Sequence, residues 1–173
     1  MKTSKKILLV LSLLLLASFT ASLFVLRETG YRGSAENERK GGYETLSQKE
    51  IRVLEVGENW NVHIIQGLGF RVQLHQDEGK LAGQIHWKDN NLILEDLPEQ
   101  AINTDFPIRI MAGSLQKIKV HTSARVHMSE FESDSLLLVL EDSSEFRAEK
   151  VRITHSKIET KGYTNLIFRN DEY

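Results

Sequence analysis

Beyond Ile51, apolar and polar residues alternate over most of the chain, and this period of two limits the fold more than any other feature. Ile51-Arg52-Val53, Val62-His63-Ile64, Phe70-Arg71-Val72-Gln73-Leu74 and Ile108-Arg109-Ile110 each place apolar side chains on one face of a strand. Ile118-Lys119-Val120, Val126-His127-Met128, Val151-Arg152-Ile153 and Leu166-Ile167-Phe168 follow the same rule. Turn-forming residues separate them at Gly57-Glu58-Asn59, Gly67-Leu68-Gly69, Asp77-Glu78-Gly79, Asp89-Asn90-Asn91 and Asp142-Ser143-Ser144. No stretch after Leu26 carries a helical stripe, so the folded part is expected to be all-β.

A longer period overlies the C-terminal third. Ile118, Leu138 and Ile158 recur twenty residues apart, as do Val126, Phe146 and Leu166, and Met128, Ala148 and Phe168. Small or hydroxylated residues recur with them at Ala124, Ser144 and Thr164, while Thr160 breaks the column of Val120 and Leu140. Twenty residues suit one coil of a β-solenoid, in which like residues stack into inward ladders. A sandwich whose strands recur evenly is the alternative. The apolar run Leu136 to Leu140 reads as a strand covered on both faces or close to a corner.

The N-terminus has another character. Ile7 to Leu26 is twenty residues without a charge, about 30 Å as a helix and enough to cross a bilayer core. Lys2, Lys5 and Lys6 precede it, which predicts a cytoplasmic tail (1–6), a transmembrane signal anchor (7–26) and export of everything beyond. A cleaved signal peptide is the alternative, with Ala17 to Ser22 supplying small residues for cleavage. Residues 27–45, with Gly30, Gly33, Gly41 and Gly42 among polar neighbours, read as a flexible tether, leaving 46–173 as the folded domain.

There is no cysteine, which excludes a disulfide framework, a zinc-thiolate site, a thiol nucleophile and a lipid-bearing N-terminal cysteine. The net charge is −2, and three of the basic residues lie before the apolar run, so the folded part is mildly acidic. Nucleic acid is therefore not expected as a partner.

The segment Ile51-Arg52-Val53 through Gly57-Glu58-Asn59-Trp60-Asn61-Val62-His63-Ile64-Ile65-Gln66-Gly67 resembles the opening of the head GIN domain, a bacterial family labelled as an auto-transporter adhesin. Asp89-Asn90-Asn91-Leu92-Ile93-Leu94 is similar to a later strand of that family, and Pro107-Ile108-Arg109-Ile110 through Leu115-Gln116-Lys117-Ile118 to its central segment. Thr122-Ser123-Ala124-Arg125-Val126, Asp142-Ser143-Ser144-Glu145-Phe146 and Gly162-Tyr163-Thr164-Asn165-Leu166 resemble its turn-and-strand units. The likeness runs from about Ser47 to Phe168. It implies an exported, right-handed parallel β-helix or solenoid-like domain. The family's Gly-Ser-Gly turns are replaced here by Thr-Ser-Ala and Asp-Ser-Ser, which predicts stiffer corners, and the short C-terminus predicts a poorly covered last coil.

No catalytic set stands out, and no cofactor or metal is expected. His121 and His127 flank a turn, but a zinc site needs a third ligand and orienting partners that the sequence does not supply. His63, His75, His86 and His155 occupy polar slots of alternating strands. Ser123, Ser143 and Ser144 sit where turns favour small hydrogen-bonding groups. Gly67-Leu68-Gly69 lacks a following helix to bind phosphate. The carboxylates at Asp77-Glu78, Glu95-Asp96, Glu130-Glu132-Asp134 and Glu141-Asp142 read as solubilising loops, although a glycosidase pair is the enzymatic alternative. Trp60 and Trp87 suit either sugar stacking or partial burial.

These features predict a non-enzymatic, membrane-tethered binding or structural module of the bacterial envelope, periplasmic or extracellular. Its expected partners are the membrane through residues 7–26 and a protein or glycan ligand, whose binding surface is placed at Arg125, His127, Glu145, Arg147 and Asn165. A carbohydrate-active enzyme on a β-helix and a scaffold that self-associates through its terminal rungs are the alternatives.

Overall fold

Alternating strands need a partner layer for their apolar faces, and here two sheets supply it to each other. The computed structural model describes residues 42–169 except residue 103. From the first half come β1 (Tyr43–Ser47), β2 (Val53–Val56), β3 (Asn61–Gln66), β4 (Arg71–His75), a 3-10 helix (Gln76–Gln84), β5 (Ile85–Lys88) and β6 (Asn91–Leu94). The second half adds β7 (Ile108–Ala112), β8 (Lys117–Val120), β9 (Arg125–Ser129), β10 (Glu132–Leu140), β11 (Glu145–Glu149), β12 (Arg152–Thr160) and β13 (Asn165–Arg169). They form a seven-stranded sheet in the order β1-β4-β7-β3-β9-β11-β13 and a six-stranded sheet in the order β12-β10-β8-β2-β6-β5.

From β8 onward the chain alternates between the sheets, and each strand pairs in parallel with the one two elements later. Ile118, Leu138 and Ile158 lie in one register, Val126, Phe146 and Leu166 in another, and Met128, Ala148 and Phe168 in a third. The spacing of twenty is this parallel register. Between sheets the chain turns through left-handed residues: Asn59, Ser123 and Ser143 have φ of 63°, 61° and 59°. At the opposite corner Glu130 and Lys150 have φ of 51° and 53°. A single left-handed residue reverses the chain sharply, at a steric cost for any side chain with a Cβ.

The first half breaks the pattern, and the expected right-handed β-helix or solenoid gives way to two mixed sheets. β2 lies between β8 and β6, and β3 between β9 and β7, so chain order and spatial order diverge. β4 runs antiparallel to both β7 and β1. β5 and β6 form an antiparallel hairpin across Asp89-Asn90, where Asp89 has φ of 55°. Two-residue turns of this kind fold a strand back on its neighbour, whereas a coil must carry it to the other face. The twenty-residue columns were confined to the C-terminal third, and so is the regular stacking.

Between the sheets lies a core that includes Ile51, Leu54, Ile64, Leu92, Ile110, Ile118, Phe131 and Phe146, all at most 1% exposed. Trp60 is fully buried, and its indole N–H donates to the carbonyl of Glu95 at 2.6 Å. One end of the stack is covered by the 3-10 helix, which packs on β1, β4 and β5 and inserts Leu81. The other end finishes on β12 and β13, where Ile158, Tyr163 and Phe168 are exposed.

The expected transmembrane anchor at residues 7–26, and with it the signal-anchor reading, receives no support: among the described residues no helix is long and apolar enough to cross a membrane. Residues 7–26 themselves lie outside the described residues, as do the tail 1–6 and most of the tether 27–45, of which Tyr43 to Thr45 belong to β1.

Candidate binding face

Because Val62, Ile64, Val126, Met128, Phe146 and Ala148 point into the core, the residues between them project outward from the seven-stranded sheet. Parallel register then aligns them into rows. Asn61, Arg125, Glu145 and Asn165 form one row, and Arg109, His63, His127, Arg147 and Ile167 the next. Arg125, His127, Glu145, Arg147 and Asn165 all lie on this face, in two adjacent rows.

The second row holds a ring cluster. His63 and His127 stack at 5.1 Å between centroids, and Phe106 leans on both at 5.3 and 5.8 Å. The His63 Nε2 lies 2.8 Å from the Ser129 hydroxyl, and the His127 Nε2 lies 3.5 Å from the Glu149 carboxylate without a hydrogen bond. Burial, with His127 and Arg109 adding to it, pushes the His63 pKa down to about 4. Arg109 is held at the edge of this cluster by the Tyr43 ring, 4.2 Å from its guanidinium, while the Tyr43 hydroxyl donates to the Phe106 carbonyl at 2.7 Å. The polar slot occupied by His63 is thus partly closed rather than open to solvent.

The first row ends at a polar groove. Asn61, Gln100, Thr104, Asp105, Ser123 and Arg125 line an open depression of about 330 Å³. Its far wall is the segment after β6, held against the corner by the Asn59 amide, which donates to the Leu97 carbonyl at 2.6 Å. Arg125 is exposed and forms no ion pair with the described residues. Glu145, beside it in the row, lies 3.6 Å from Arg147. Of the residues lining this depression, Arg125 belongs to the surface expected from the sequence, whereas Asp105, Thr104 and Gln100 do not. Their only signal was negative: residues 95–107 interrupt the alternation, and long irregular connections are where binding groups concentrate.

The residues tested for chemistry have structural work. His121 follows β8 of the six-stranded sheet, whereas His127 lies on β9 of the seven-stranded one. Both ring nitrogens of His121 sit 2.9 Å from carboxylates, Nε2 from Glu55 and Nδ1 from Glu141, and Lys119 lies 3.1 Å from Glu55. The hydrogen bond from His121, with Lys119 beside it, holds the Glu55 pKa below its usual value. Among the described residues no group of three or more histidines and carboxylates has metal-binding geometry. Glu95 meets His86 at 3.1 Å and Glu132 meets Arg152 at 3.2 Å. Asp96 and Asp142 accept backbone N–H groups of Glu58 and Tyr163. Ser144 is buried beneath its corner, and buried Trp60 offers no face to a sugar.

The family described as "Putative auto-transporter adhesin, head GIN domain" matches residues 52–169, more than half of the chain. No curated protein matches it. Among solved structures, a crystal structure of a putative adhesin from Bacteroides fragilis NCTC 9343 matches with 11% identity, over 73% of this chain and 95% of the other. Its TM-score is 0.29, an overlap too poor to define a common fold.

Proposed function

This chain belongs to the head GIN domain family, and on that premise we propose that it is a non-enzymatic, adhesin-like module of the bacterial envelope that binds a glycan on the outer face of its seven-stranded sheet. The observation that carries the reading is the groove at Arg125, where a charged donor without an ion-pair partner among the described residues stands among amide, hydroxyl and carboxylate groups. Sugars present closely spaced hydroxyls that both donate and accept, and such a mixture satisfies them from several directions. Arg125 biases the choice toward acidic sugars, whose carboxylates it can grip with two N–H groups. Asn165, Glu145 and Arg147 extend the contact along the sheet, while Glu95, Asp96, Glu132, Glu141 and Asp142 are tied into corners and ion pairs.

Screening the full chain against an array of acidic and neutral glycans tests this. The expected result is retention of acidic glycans, weakened at least tenfold by Arg125→Ala and by Asp105→Ala, with thermal stability unchanged. Binding that survives both substitutions, or no retention of any glycan, would remove the proposal.

A further inference from the structure

We propose that the open end of the strand stack is a self-docking surface on which a second copy of this chain pairs its β12 antiparallel to β12 of the first, forming a closed two-fold dimer. The two ends differ in kind. At one, the 3-10 helix spans the edge strands β1 and β5 and fills the gap with Leu81. At the other, Ile158 is 39% and Phe168 55% exposed, and a crevice of about 140 Å³ lined by Leu138, Phe146, Val151, Ile153, Ile158 and Phe168 opens toward the core. Stacked strand arrays need terminal units with polar outer faces, and this end lacks one among the described residues.

The backbone there is equally unfinished. β12 runs for nine residues and pairs with β10 on one side; among the described residues nothing pairs with its other edge. It contains no proline to blunt that edge. Its charges select both the occupant and the register. Lys157 and Glu159 project from the sheet on either side of inward-facing Ile158, 2.7 Å from each other. Antiparallel pairing centred on Ile158 sets Lys157 of each copy opposite Glu159 of the other, twice. A slip by one residue sets Lys157 against Ile158 and turns the second strand's apolar face outward. A slip by two sets Lys157 against Lys157 or Glu159 against Glu159, where directly opposed like charges destabilise a sheet pair. The same axis brings together the two copies of Ile158 and closes the crevice that Phe168 also lines. Since the far end is covered, the contact is isologous and stops at two rather than growing into a fibre.

The absence of cysteine makes the test direct. Residues facing each other across antiparallel strands have Cβ atoms about 4.5–5.5 Å apart, within reach of a disulfide after slight adjustment. The full-length Ile158→Cys variant should form a disulfide-linked dimer under mild oxidation, and Lys88→Cys, on the edge strand at the covered end, should form no disulfide-linked dimer although it still associates through β12. In sedimentation of the otherwise native chain, Glu159→Lys should weaken dimerisation at least tenfold, and the exchanged pair Lys157→Glu with Glu159→Lys should restore it. Equal cross-linking of the two cysteine variants, a monomer at all concentrations, assemblies larger than two, or a Glu159→Lys variant that associates as well as the native chain would each overturn the proposal.

Discussion

His63 and His127 stack on the outer face of the seven-stranded sheet with their planes 14° from parallel, so one imidazolium cannot form there without facing a second basic ring. Burial and this neighbour lower the His63 pKa from 6.5 to about 4. As pH falls below 6.5 the unfolded chain takes up a proton that the folded chain refuses, so stability is full above that value and declines between pH 6.5 and 4. The ring is only partly shielded, so solvent screening reduces the loss to about 1–2 kcal/mol. Denaturant midpoints measured from pH 7.5 to 4.5 should fall in the native chain and flatten in His63→Gln. Parallel curves for the two would refute this role for the stack.

Gly57 ends β2 where a Cβ would lie 2.5 Å from the Leu94 carbonyl oxygen and 2.7 Å from the Asp96 amide nitrogen. Both are backbone atoms that cannot swing aside. Gly57→Ala should therefore cost about 1–3 kcal/mol, as overpacking does. It should also loosen the segment after β6 that walls the groove, because the neighbouring Glu58 N–H is tied to Asp96 at 2.8 Å. Thermal denaturation and glycan affinity, measured on the same variant, should decline together.

The corners invite substitutions of the opposite sign. Ser123 and Ser143 hold left-handed φ values of 61° and 59°, which glycine adopts without the Cβ penalty. Ser143→Gly should raise stability by roughly 0.5–1 kcal/mol, the steric relief exceeding the added entropy of the unfolded chain. A drop in the midpoint would mean that the Ser143 side chain makes a contact worth more than the strain.

These corners also show how far the sequence could be read. Alternation around Val62, Ile110 and Val126 identified strands and their buried faces, because side-chain direction in a strand is purely local. The spacing of Ile118, Leu138 and Ile158 identified parallel register, because strands paired in parallel set equivalent inward residues side by side. The spacing does not reach the first half, and alternation there is silent on strand order: β2 and β3 insert between strands distant in sequence, and Asp89-Asn90 folds a hairpin. Arg125 and Glu145 were legible as one row because register alone places them. The groove was not, since Gln100, Thr104 and Asp105 reach it through an irregular segment whose path depends on tertiary contacts such as the Asn59–Leu97 bond. The partners of His121 were not legible, because nothing local reveals that Glu55, 66 positions away, faces it.

Trp60 joins the core to the binding face. Its side chain is fully buried with its N–H on the Glu95 carbonyl, and its own carbonyl accepts the Arg125 backbone N–H at 2.7 Å. Trp60→Phe keeps most of the apolar volume but leaves the Glu95 carbonyl without its donor, at a cost of about 1–3 kcal/mol. Trp60→Ala adds a cavity and should cost about 3–5 kcal/mol. Because Glu95 starts the irregular segment and Arg125 starts β9, the groove lies between the two things this residue holds. Trp60→Phe should therefore weaken acidic-glycan binding at temperatures well below its unfolding midpoint. Stability lost with affinity intact would show that Trp60 serves the core alone.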